Sequence, residues 1–433
     1  MKRLLHLTTR IFLCFILVGC MTRAREAPGH SPNFVSSPGV IAVGEGSIFT
    51  PRGTVQFEAE KGLQVQIVNF EGKDRPDVVF LRDGKDGRDV IVAFASSQWQ
   101  KVMQVKLADA PRNIQVFDWD GDGRPEIVYG IPRTAQVRFV RARIGQQKTE
   151  SATLRFSQED YSKTEAMAGF HAEINRDGIE DYGFWYGENH EMVIFLSRGA
   201  KNDPHIVRQP IGETPQVNVT AVGDINNDRR KELVMGFGPG TPDGVGMISF
   251  VGNILDKNSM FAVKINTESP TTRVELETEA PSAELSRYLD LGVQGVAIGD
   301  VNEDGLFDFI TANGFAGTIS VAINRGHYQF SVQSFTIDYP KGERIPSVLA
   351  VALADADGDG RLDIHLLVTV QESPGDRFLD AIVIAKGDGK GGFLGSEYLE
   401  LGSPASCMAV ADIDGNGVPD YALAGSPLQI IFR

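Results

Sequence analysis

The chain has 433 residues, 42% of them hydrophobic, and a formal net charge of −15. It is too long for one small domain and long enough for a large core. Its acidity disfavours nucleic acid, whose phosphates it would repel, and 47 glycines among recurrent Val/Ile/Phe runs point to an all-β chain rich in turns.

Lys2, Arg3 and Arg10 form a basic head, and Ile11 to Val18 is a short apolar run. Such a run is too short to cross a bilayer as a stable helix and reads as a targeting segment. It ends in Leu17-Val18-Gly19-Cys20, which resembles the bacterial lipobox. That resemblance implies a signal peptide over 1–20, a lipid on Cys20, and a membrane anchored through it. Met21 stands where the family's inner-membrane retention signal has Asp, which favours the outer membrane of a bacterial envelope. Residues 21–46 are rich in Pro, Ser and Gly and read as a flexible tether.

From residue 47 onward one nine-residue pattern recurs seven times, with oxygen-bearing side chains at positions 1, 3, 5 and 9 in every copy but the first, where position 5 is Lys73. The first copy carries Asn69, Glu71, Lys73 and Asp77, and the second Asp118, Asp120, Asp122 and Glu126. The third carries Glu173, Asn175, Asp177 and Asp181, and the fourth Asp224, Asn226, Asp228 and Glu232. The fifth carries Asp300, Asn302, Asp304 and Asp308, and the sixth Asp355, Asp357, Asp359 and Asp363. The seventh carries Asp412, Asp414, Asn416 and Asp420. The starts lie 49, 55, 51, 76, 55 and 57 residues apart, which suits a four-stranded propeller blade. Each loop is preceded by an apolar strand and followed by another, so it joins the first and second strands of its blade.

Calcium takes six to eight oxygen ligands. Positions 1, 3 and 5 place three oxygen side chains on one side of a tight turn, position 7 offers a carbonyl, and position 9 brings back an acid. Glycine at position 4 or 6 permits the turn. An EF-hand needs Glu at position 12, where this chain has Phe80, Tyr129, Phe184, Met235, Thr311, Leu366 and Leu423. One such stretch reads equally as a β-turn; five near-complete copies at one spacing do not. Loops two to seven are therefore expected to hold about five to six structural Ca2+ ions, each adding about 1–3 kcal/mol at millimolar calcium. Lys73 opposes a cation in loop one, and the third loop, opening on Glu173, is expected to bind weakly.

Loop, strands and spacing over 47–433 resemble the FG-GAP/VCBS repeat family of the integrin α propeller, with Gly314–Thr318 and Gly236–Gly240 as imperfect versions of its punctuation. The resemblance implies a seven-bladed β-propeller of four-stranded blades, calcium in the matching loops, and a ligand face opposite them. After Asp420–Ala424 only Leu428–Phe432 remains, so the last blade lacks a strand. Gly53–Ala59, which places Val55, Phe57 and Ala59 on one face, is expected to supply it and close the ring. The 76-residue spacing marks an insertion over about 253–290 with a short helix near Ala283–Leu289.

Gly-x-Ser-x-Gly, His-Glu-x-x-His and Walker motifs are absent from the sequence, and His171 and His190 lack metal-ligand spacing. Trp119 and the cluster Tyr182, Phe184, Trp185 and Tyr186 are candidates either for sugar stacking or for packing between blades. Cys407, in an apolar run, reads as a small core residue. The expected function is an envelope-anchored propeller that binds a protein or glycan. A polysaccharide lyase or hydrolase and a structural subunit of an envelope assembly are the alternatives.

Overall fold

The computed structural model describes residues 39–42 and 48–433, except 74, 85–86, 143–148, 199–202, 211–216, 230, 239–243, 252–253, 265–291, 315–316, 327–328, 341–343 and 372–377. The leader, Cys20 and the predicted helix near Ala283–Leu289 lie outside the described residues.

The described elements are strands apart from one short 3-10 turn, Ala95–Ser97. β1 is Gly39–Ala42 and β2 is Gly53–Phe57. The first sheet runs β3 (Lys61–Val68), β4 (Asp77–Gly84), β5 (Gly87–Ala93) and β6 (Val102–Lys106). The second runs β7 (Gln115–Phe117), β8 (Glu126–Gly130), β9 (Gln136–Arg141) and β10 (Glu150–Arg155). The third is β11 (Ala166–Ala172), β12 (Asp181–Tyr186), β13 (Glu191–Leu196) and β14 (His205–Pro210). The fourth is β15 (Val217–Gly223), β16 (Glu232–Phe237), β17 (Gly244–Val251) and β18 (Ile254–Lys264). Next come β19 (Gly295–Gly299), β20 (Asp308–Ala312), β21 (Thr318–Asn324) and β22 (Phe330–Asp338). They are followed by β23 (Arg344–Ala354), β24 (Asp363–Gln371), β25 (Phe378–Gly387) and β26 (Phe393–Glu400). β27 (Ala405–Ala411), β28 (Asp420–Gly425) and β29 (Leu428–Phe432) end the chain.

The fold is an all-β propeller of antiparallel meanders. The predicted set of seven four-stranded blades needs correction: six sheets have four strands, while the sheet β19–β22 has five. β1 adds to it in parallel, Gly39 opposite Phe335 and Ala42 opposite Asp338, because the outermost strand of a meander leaves a row of unpaired backbone groups. The tether predicted over 21–46 thus contains a paired strand. Of the predicted insertion, Ile254–Lys264 is the outer strand of the fourth sheet, paired with β17. β2 pairs antiparallel with β29, Gly53 opposite Phe432 and Phe57 opposite Leu428.

Burial follows strand position. β11, β12 and β13 are buried at every residue, since neighbouring sheets cover both faces. The outer strand β2 alternates half-buried and exposed residues, as a strand covered on one face does. Core clusters lie between consecutive sheets: Phe139 and Val137 of the second sheet pack on Tyr182, Phe184 and Phe195 of the third. Cys407 is fully buried with Val65, Phe80 and Ile430, as a core residue should be. The first strands β3, β7, β11, β15, β19, β23 and β27 stand beside one another in that order, and β27 also lies against β3. Between β3 and β7 two side-chain amides replace the backbone ladder. Gln64 donates to the Ile114 carbonyl (3.0 Å) and accepts from its N–H (2.9 Å), and Gln66 accepts from the Val116 N–H (3.1 Å).

Candidate metal loops

All seven nine-residue loops connect the first and second strands of their sheets, so they gather at one end of the meanders. Their backbone geometry is shared. Position 4 is left-handed throughout, with φ of 70° at Gly72, 75° at Gly121, 66° at Arg176, 59° at Asn227, 58° at Glu303, 78° at Gly358 and 77° at Gly415. Position 6 is left-handed in loops two to seven, at Gly123, Gly178, Arg229, Gly305, Gly360 and Gly417. The glycine signal in the sequence is therefore a signal for two left-handed residues, and four non-glycine side chains tolerate the same turn.

The loop side chains organise the backbone in a fixed ladder. At position 1, Asp300 accepts the N–H groups of Asp304 (3.1 Å) and Gly305 (2.8 Å), and Asp355 accepts those of Gly358 (2.7 Å) and Gly360 (2.8 Å). At position 3, Asn302 accepts the Asp304 N–H at 3.0 Å. At position 5, Asp304 accepts the Leu306 N–H at 2.9 Å. The side-chain oxygens are thereby turned inward toward one another. One oxygen each from Asp118, Asp120 and Asp122 lies within 4.8 Å of the others, and so do oxygens from Asp355, Asp357 and Asp359, and from Asp412, Asp414 and Asp420. Calcium–oxygen bonds of about 2.3–2.6 Å place two ligands of one ion no more than about 5 Å apart, so these all-oxygen sets fit a hard divalent cation.

Position 9 does more than face the loop. Asp77, Glu126, Asp181, Glu232, Asp308, Asp363 and Asp420 are all essentially buried. Asp308 accepts the Val301 N–H (3.0 Å) at position 2 and the Asn324 N–H (2.8 Å) where β21 ends. Asp363 does the same for Ala356 and Gly387, Asp181 for Ile174 and Ser197, and Asp420 for Ile413 and Arg433. The acid clips the loop to the third strand, and each oxygen keeps a second lone pair for another partner. Burial pushes these carboxyls up: Glu126 and Asp181 to about 7, Asp308 and Asp420 to about 6.

In loop one the Lys73 ammonium sits 3.2 Å from Glu71, which also accepts from the Ser96 hydroxyl at 2.8 Å. In loop two the Arg141 guanidinium reaches Asp120 and Glu126 together, the latter at 2.7 Å. Nothing in the sequence singled out Arg141, because its approach depends on the pairing of β8 with β9.

The aromatic candidates for sugar stacking resolve into packing. Tyr182, Phe184, Trp185 and Tyr186 have no exposed surface, and Trp119 packs on Phe139 with ring centroids 4.5 Å apart. His171 stacks on Phe117 and bonds Glu180 at 2.9 Å.

The FG-GAP-like repeat family model matches residues 295–366, which span loops five and six with their flanking strands. No curated protein matches the chain. Among solved structures, the Chaetomium thermophilum Nup170 N-terminal domain, solved as a complex with Nup53, is similar in fold at 10% identity and a TM-score of 0.51. The match covers 92% of this chain and 64% of the other, so the chain spans less than two thirds of that relative. The Dos1 propeller matches over 88% of this chain and 94% of its own, at 7% identity and a TM-score of 0.45.

Proposed function

We propose that this protein is a calcium-stabilised seven-bladed propeller, closed through β2 and β29 and anchored by a lipid on Cys20 in the outer membrane of a bacterial envelope. There it presents the face opposite its metal loops to a protein or glycan. The observation that carries the reading is the convergence of three carboxylate oxygens within 4.8 Å in each of loops two, six and seven. The adjacency of β27 and β3, together with the pairing of β2 with β29, supports ring closure. The lipid anchor rests on Leu17-Val18-Gly19-Cys20. The FG-GAP-like repeat over 295–366 supports a binding role.

The test is calcium titration of the mature protein by calorimetry, with melting followed in calcium and in chelator. Several ions bound per chain and a higher melting temperature in calcium are expected; identical melting in both would sink the calcium reading. Pull-down from envelope extracts with and without chelator then separates a binding module from a structural subunit, which would come down with stoichiometric partners.

A further inference from the structure

The seven position-three residues divide without exception. Where position three is an acid, a basic side chain holds it. Glu71 pairs with Lys73 at 3.2 Å, Asp120 with Arg141, Asp357 with Lys386 at 3.4 Å (a lysine also shared with Glu397 at 2.8 Å), and Asp414 with Arg52 at 2.6 Å. Where position three is an amide, its NH2 instead donates to the position-five carboxylate. Asn175 donates to Asp177 at 3.2 Å, Asn226 to Asp228 at 3.2 Å, and Asn302 to Asp304 at 3.0 Å.

The basic partners come from different places. Arg141 and Lys386 occupy the same spot on the third strand, one residue after the partners of Ile127 and Ile364, the residues that follow position nine. Those two loops alone carry acids at all four positions. At that spot the sheets of loops one, three, five and seven carry Phe94, Leu196, Ile323 and Phe432. Loop one finds its cation within itself, and loop seven takes Arg52 from the residue before β2. A fourth carboxylate in one small turn is strongly self-repelling without a counter-charge, and the third strand supplies one where the loop needs it.

We propose that Arg141, Lys386 and Arg52 are resident counter-ions that grade the loops: a divalent ion must displace them in loops two, six and seven. Loop five, whose Asp300 and Asp304 meet no basic side chain among the described residues, takes it without that competition. The proposal rests on the calcium reading above. The guanidinium of Arg141 lies against Asp120 and Glu126 and 3.7 Å from Asp122, so it covers the oxygens that a metal would use.

The test is calcium titration by competition with a chromophoric chelator on full mature protein, comparing wild type, Arg141→Gln, Lys386→Gln and Asp304→Asn. Wild type should show a tight and a weak class of sites. Arg141→Gln should move one site from the weak class by about tenfold in affinity, the size expected for removing one charge near the ion, and should melt lower than wild type in chelator. Lys386→Gln reports the same step in a second loop if the first variant folds poorly. Asp304→Asn should remove one tight site. Unchanged weak-site affinity in both charge variants, with Asp304→Asn still losing a tight site, overturns the counter-ion proposal alone. No calcium binding by wild type overturns the calcium reading and this proposal with it.

Discussion

Gly62 of β3 and Gly425 of β28 meet at the join between the first and last sheets, where a Cβ on Gly62 would fall 2.4 Å from the Gly425 nitrogen. Ser406 ties the same place by donating to the Gly62 carbonyl at 2.9 Å. The backbones are in contact, so no side chain can yield. Gly62→Ala should destabilise the protein by about 1–3 kcal/mol, the usual range for overpacking a tight core. Gly53→Ala is the control, since its Cβ would make only an ordinary contact with Phe432 at 3.9 Å. Urea midpoints of the two variants, measured in chelator, check the difference.

Arg229, at position 6 of loop four, holds φ at 67°, where loops two, three and five to seven have glycine. A left-handed non-glycine residue costs about 1–2 kcal/mol. Arg229→Gly should therefore raise stability by up to about 1 kcal/mol, part of the gain being returned as unfolded-state entropy. A lower urea midpoint would mean that the Arg229 side chain contributes more than its backbone costs.

Asp308 and Asp304 separate the two duties of a loop carboxylate. Asp308→Asn keeps one acceptor but turns an NH2 toward a buried backbone N–H, and an unsatisfied buried group costs about 1–3 kcal/mol. Asp304 is exposed and serves the turn alone. In chelator, Asp308→Asn should lower the urea midpoint clearly and Asp304→Asn little, while both should weaken calcium binding. Equal midpoints would show that position nine is not a clip.

Much of this was legible in the chain, for physical reasons that also mark where legibility ends. Asp, Asn and Gly at fixed spacing force a left-handed turn locally, so loops and flanking strands could be placed from the residues alone. Strand pairing at an edge could not: Gly39–Ala42 sits in a Pro/Ser/Gly-rich segment, and only the open edge of β22 makes it a strand. Ile254–Lys264 falls where the wide spacing points to an insertion, and that spacing conceals a fourth strand. An acid at the head of a strand looks alike whether it binds a metal or backbone N–H groups, so the clip made by Asp308 or Asp363 was unreadable. Arg141 and Lys386 are set by register across about twenty residues, which no local pattern encodes.

Calcium and protons should compete for the position-nine acids. Burial raises Asp181, which no basic side chain holds, to about 7, so the metal-free fold favours its protonated form. That contribution is complete below the ordinary carboxyl range, near 4, and is lost as pH rises through about 7. Calcium replaces the proton's charge, and its binding must release protons in that window. The rise in melting temperature given by calcium should therefore be larger at pH 8 than at pH 5.5. A calcium effect that does not change with pH would falsify the assignment of these acids to the ion.

His365 gives an opposite and separable pH signature. It has no exposed surface; its Nε2–H donates to the Ala354 carbonyl at 3.2 Å, and its Nδ1 accepts from the Tyr421 hydroxyl at 2.9 Å. The carbonyl can only accept, which fixes the neutral tautomer, and an imidazolium would take away the acceptor of the buried Tyr421 hydroxyl hydrogen. Burial pushes the group down to about 4, helped by the nearby Arg433 charge. The unfolded chain binds this proton near pH 6.5, so between 6.5 and about 4 the unfolded state holds more protons than the folded one. The contribution is therefore full above 6.5 and is lost as pH falls toward 4. His365→Gln removes the titrating site and can still accept from Tyr421. In chelator, the stability of wild type should fall by about 2–3 kcal/mol more than that of His365→Gln between pH 7 and pH 4.5. Parallel pH profiles for the two proteins would place the titration elsewhere.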